Sequence, residues 1–137
     1  MRNTLDEIKK SLTEQHIAIQ NDMEKISEMI NSGGKINTDA VYDLLVKLNK
    51  DLNEHLQLEN QQFYPEIIKQ NINDEKIEKL KEFFRNMTIM EKVIDRFLKK
   101  YSVGEKIRAS LPEFKKEFKE IKDVLGLRID LEETKIF

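Results

Sequence analysis

Cysteine is absent from the 137 residues, which excludes disulfides, thiolate metal sites and cysteine nucleophiles. Proline and glycine are scarce, with two and four copies. Apolar residues are spread evenly through a chain that is 36% charged, a composition that points to an all-helical protein. Neither sign of charge dominates: the net charge is −2 and the isoelectric point about 5.8. No basic stripe marks a nucleic-acid surface, so none is expected as a partner. No apolar run approaches the ~18 residues of a membrane span, so no membrane contact is expected either. The opening "MRNTLDEIKK" lacks the apolar segment of a secretory signal, which makes the cytoplasm the expected location. A chain of this length is expected to be one domain spanning residues 1–137.

What is present is helical periodicity. Leu5, Ile8, Leu12, His16, Ile19, Met23, Ile26 and Ile30 recur at steps of three and four, predicting a first helix over about residues 4–31. "NSGGK" ends it, with Gly33 and Gly34 expected in the positive-φ conformation of a C-terminal cap. Asn37 or Thr38 is the expected cap of a second helix, whose inner face runs Val41, Leu44, Leu48, Leu52, His55, Glu59 and Phe63. Pro65 is expected to bend that helix near its end. Asn73 or Asp74 should start a third helix carrying Ile77, Leu80, Phe84, Met87, Met90, Ile94, Phe97 and Tyr101. "SVGEKIRASLP" breaks it, with Ser110 and Pro112 suited to the cap and first turn of a fourth. That last helix carries Phe114, Phe118, Ile121, Leu125, Arg128, Glu132 and Ile136. Four rods joined by short turns predict an all-α, antiparallel up-down-up-down four-helix bundle.

The chain also resembles itself. A shift of 73 lays the second helix on the fourth, so that Leu52 meets Leu125, His55 meets Arg128 and Glu59 meets Glu132. A shift of 74 lays the first on the third, so that His16 meets Met90, Ile19 meets Val93 and Met23 meets Phe97. Two helical hairpins, about residues 4–69 and 74–137, are the expected repeat. Each offers one inward residue from its first helix and an i, i+4 pair from its second.

"EQHIAI", "LNEHLQLENQQFYPEI" and "LGLRIDLEETKIF" resemble the hemerythrin-like, or HHE cation-binding, superfamily across the whole chain. The resemblance implies a four-helix bundle in which histidines and carboxylates close on two irons. It places His16, His55, Glu59 and Glu132 at ligand positions. Met90 and Arg128 then fall on two further histidine positions. Arg has no acceptor atom and a thioether is a soft ligand, so neither would serve iron there.

Charge gives a reason for the change. Two buried carboxylates without a metal would repel and be desolvated. Arg128 supplies a fixed cation beside Glu59 or Glu132, and one protonated histidine would balance the other carboxylate. The cluster then closes near neutrality as a metal-free polar network. A blander alternative leaves His16 partly exposed, with Gln15 or Ile17 turned inward.

Two functions follow. The first expectation is a non-enzymatic regulatory module with an incomplete di-iron site that binds another protein. Arg128, Leu131, Glu132 and Glu133 are also similar to the helix-four pattern of the regulator-of-sigma-D family. The alternative is a sensor or storage protein that holds one iron or other divalent cation through His16, His55, Glu59 and Glu132. No nucleophile–base pair or cofactor loop argues for an enzyme.

Overall fold

A computed structural model describes residues 4–70 and 74–137. Helix α1 spans Leu5–Asn31, and Thr4 Oγ1 caps it by accepting from the Glu7 N–H at 3.2 Å. Helix α2 spans Thr38–Leu58, and Asn37 Oδ1 accepts from the Ala40 N–H at 3.1 Å, which settles the cap on Asn37. A π-helical turn over Glu59–Phe63 carries α2 into α3, Tyr64–Gln70. Helix α4 spans Asp74–Lys100, the short α5 spans Gly104–Ala109, and α6 spans Leu111–Leu131. A second π turn, Glu132–Ile136, follows α6. No strand occurs among the described residues. The molecule is the antiparallel all-α bundle that the periodicity predicts.

The repeat is visible in the backbone. Helices α2 and α6 have the same length, and the π turn after each begins on the glutamate paired by the shift of 73. Widening of this kind lets residues spaced by four stay on one face. In a regular helix of 3.6 residues per turn, each step of four drifts by about 40°. A turn with i→i+5 bonds takes back part of that drift. His55, Glu59, Phe63 and Ile67 are accordingly all buried. Pro65 sits at the second position of α3, just past the wide turn. The second π turn forms without any proline, so the common element is the glutamate rather than the expected proline bend.

Two expectations need correction. Gly33 and Gly34 have no positive φ, and α1 ends on an extended Ser32 at φ −66° and ψ 141°. The loop is long enough to turn without a left-handed residue. The register of α1 on α4 also differs. Val93 is 44% exposed, whereas Met23, Ile26 and Ile30 are matched by buried Ile94, Phe97 and Tyr101 at a constant spacing of 71. Ile19 then pairs with the half-buried Met90, and Met87 rather than Met90 stands in register with His16. An apolar stripe repeating at three and four matches itself nearly as well when slipped by one turn. The expected cap at Asn73 lies outside the described residues, as do the side chains of Asp74, Ile77, Phe84 and Met87.

Helix α1 packs on α2 and α6, α4 packs on α6, and α5 lies against α2 and α6. At the α5 contact the backbone of Gly104 comes close to α2. A Cβ there would stand 2.4 Å from Asp39 Oδ1 and 3.2 Å from Thr38 O. The core falls into two apolar clusters. One includes Ile19, Met23, Leu48, Leu52, Phe97, Phe114, Phe118 and Leu125. The other holds Ile8, Leu12, Phe63, Tyr64, Ile67 and Leu80. Between them along the chain, on α1, α2, α6 and the two π turns, lie the polar residues His16, His55, Glu59, Arg128 and Glu132, all buried.

Candidate metal centre

The bundle brings together all five residues singled out in the sequence. His16 comes from α1, His55 from the last turn of α2, Glu59 and Glu132 from the starts of the two π turns, and Arg128 from the last turn of α6. One ligand atom each from His16, His55, Glu59 and Glu132 lies within 4.8 Å of the other three. His16 is wholly buried while Ile17 is 53% exposed, so the alternative with Ile17 inward does not hold.

Each carboxylate is divided among three neighbours. Glu132 Oε1 accepts from Arg128 Nε at 3.0 Å, and its Oε2 lies 2.9 Å from His16 Nε2 and 3.5 Å from His55 Nε2. Glu59 Oε2 accepts from Arg128 Nη2 and from the Tyr64 hydroxyl, both at 3.1 Å. Its Oε1 lies 2.5 Å from His55 Nε2. That contact is close but poorly directed, and Glu59 Oε1 has no hydrogen-bond partner among the described residues. Arg128 thus holds one oxygen of each glutamate and leaves the other turned toward the imidazoles.

The outer nitrogens of the two rings determine what the inner ones present. The His16 Nδ1–H donates to Glu133 Oε1 at 3.0 Å, and the His55 Nδ1–H donates to Gln15 Oε1 at 2.9 Å. Metal-binding imidazoles are held by outer acceptors in this way. A ring whose only proton sits on Nδ1 would turn a lone pair inward at Nε2, where the two Nε2 atoms are 3.1 Å apart. Phe137 stacks on His16 with ring centroids 5.5 Å apart and planes 2° from parallel.

The electrostatics reflect this crowding. Burial disfavours a charged His55, but its close polar contacts with Glu132 and Glu59, reinforced by their charges, push its pKa from 6.5 up to about 9. Burial pushes the Glu59 carboxyl up, and the adjacent Glu132 adds to the effect. Burial opposes ionisation of Glu132 as well, yet hydrogen bonds from His16 and His55 hold it well below the usual carboxylate range. Burial, together with the glutamate charges, pushes the Tyr64 hydroxyl up, so it remains a donor.

The donor set fits one cation. One ligand atom from each of two imidazoles and two carboxylates converges in a buried cage, and one of the carboxylate oxygens, Glu59 Oε1, has no directed hydrogen bond among the described residues. Nitrogen and oxygen ligands of this mixture suit iron, zinc or manganese.

Gln15, Glu133, Tyr64 and Phe137 escaped identification from sequence as parts of this site. Gln15 and Glu133 are chain neighbours of His16 and Glu132, but periodicity does not reveal which neighbouring helix a flanking side chain meets. Only Phe137 carried a signal, since the shift of 73 places it on Tyr64.

A buried histidine–carboxylate cage inside an antiparallel helical bundle defines a class of metal-binding helical domains. The family model for the hemerythrin HHE cation-binding domain matches residues 8–137, and the chain belongs to that family. No curated protein and no solved structure matches the chain significantly.

Proposed function

We propose that this hemerythrin-like domain is a non-enzymatic regulatory module that holds one divalent cation, with Arg128 standing where a second metal would be. His16 Nε2, His55 Nε2, Glu59 Oε1 and Glu132 Oε2 are the ligands in this reading. The observation that carries it is the convergence of one ligand atom each from His16, His55, Glu59 and Glu132, with both outer ring nitrogens already held by Glu133 and Gln15. A cation there takes the place of the protons and satisfies all four acceptors. A di-iron site is disfavoured because the guanidinium occupies the outer oxygens that a second ion would need.

The metal-free network remains the second reading. Its support is that Arg128 and a protonated His55 together balance the two glutamates. The cytoplasmic location and a protein partner belong to either reading.

Metal analysis decides between them. Protein purified without chelator, then equilibrated anaerobically with ferrous iron or with zinc, should retain close to one equivalent. Both His16→Ala and Glu59→Gln should lose it while keeping their helical circular dichroism. Retention of no metal by the folded wild-type protein would leave the metal-free network as the function of these residues.

A further inference from the structure

A cleft of about 330 Å³ opens between α2 and α4, and Arg128 lies among its lining residues. Its walls are largely apolar, with Leu52 and Leu56 from α2 facing Ile94 and Leu98 from α4. Asn49, Asn53 and Thr88 add polar groups. Arg128 is only 4% exposed. Its Nε and Nη2 are engaged by Glu132 and Glu59, while Nη1 makes no hydrogen bond among the described residues. A buried guanidinium with donors to spare, beside an apolar cleft, is the arrangement that small-ligand sites use to select a charged head on an apolar body.

We propose that the α2/α4 cleft binds a small organic monocarboxylate, its carboxylate on Arg128 Nη1 and its hydrocarbon body along Leu52, Leu56, Ile94 and Leu98. Of the charged residues in the wall, Asp95 is held by Lys99 at 2.8 Å, and Lys92 adds a cation to the lining against Glu91. A carboxylate offers Nη1 a charged acceptor, whereas an alcohol with the same chain supplies no charge to it. The ligand would thus sit behind the metal cage, on the far side of the residue that organises both glutamates. A carboxylate held there reports to the cage through Arg128 alone.

The test is a titration of hexanoate into isotopically labelled protein, followed by amide chemical shifts, with hexan-1-ol as the uncharged probe. It is run on metal-free and on zinc-equilibrated protein, and zinc content is measured separately. Failure of the metal reading and failure of the cleft are therefore distinct results. Saturable shifts centred on residues 49–56 and 91–98 are expected in at least one of the two forms, with hexan-1-ol at least ~10-fold weaker. Arg128→Lys should weaken hexanoate by a similar factor, since one ammonium cannot hold both glutamates and still present the planar Nη1 donor to the ligand. Asn53→Trp, at an exposed position in the cleft wall, should block binding without touching the guanidinium. Absence of saturable shifts in both forms would overturn the proposal. So would equal binding of hexan-1-ol, or wild-type affinity in Asn53→Trp.

Discussion

Arg128 carries the largest energetic consequence of any single side chain in the site. It is the permanent cation that reaches both Glu59 and Glu132, and all three are at least 95% buried. Removing one partner from a buried charge group leaves the others uncompensated, at a cost of roughly 3–5 kcal/mol. Arg128→Ala should therefore lower the urea-unfolding free energy of the metal-free protein by at least about 2 kcal/mol, allowing for partial relaxation. The contrast is Lys79→Ala, which touches only an ion pair with Glu75 whose side chains are 75% and 78% exposed. That change should stay within about 0.5 kcal/mol. Equal effects from the two substitutions would show that Arg128 is solvated. The sequence-level argument for an inward arginine rested on the register with His55, and that register held. It did not reveal that Arg128 would divide its fork between two glutamates from different helices.

At the scale of elements, the glycines separate two kinds of break. Gly33 sits in a loop with an ordinary φ and open space around the position of a Cβ. Gly33→Ala should raise stability by about 0.4–1 kcal/mol, because alanine narrows the unfolded ensemble without straining the fold. Gly104 is the reverse case. A methyl there meets Asp39 and the Thr38 carbonyl, so Gly104→Ala should push α5 off α2 and cost about 1–3 kcal/mol. Thermal melts of the two variants should move in opposite directions, and a loss at Gly33 would restore the turn requirement inferred from "NSGG". The π turns show a related limit of sequence reading. The spacing of His55, Glu59 and Phe63 placed them on one face, but only the backbone reveals that a wider turn keeps them there.

For the whole molecule, the polar residues set how stability depends on pH and cation. The His55 pKa is raised from 6.5 to about 9, so its contribution is fully present below 6.5 and lost as pH rises through about 9. The Glu132 pKa is lowered from 4.5, so its contribution is present above 4.5 and lost in acid. Glu59, shifted upward, loses its contribution as pH rises from 4.5 through its own raised pKa. Metal-free protein should accordingly melt highest between 4.5 and 6.5 and lose stability toward 9. A bound cation needs His55 neutral, so the rise in melting temperature given by zinc should grow between 6.5 and 9. A zinc effect that shrinks over that interval would count against His55 as a ligand.

The four long helices, the match of α2 to α6 and the five inward polar residues were legible in the residues alone. Apolar steps of three and four, and a glutamate four positions after His55 or Arg128, are local facts that each element reads from its own residues. Tertiary structure decided the rest. It chose between the α4 registers, because a periodic stripe is degenerate until facing helices bury one set of residues and expose Val93. It also assigned each glutamate oxygen and each ring nitrogen its partner, including Gln15 and Glu133. Those pairings depend on distances between helices, and a hydrogen bond lost over a few tenths of an ångström has no counterpart in the spacing of residues along one chain.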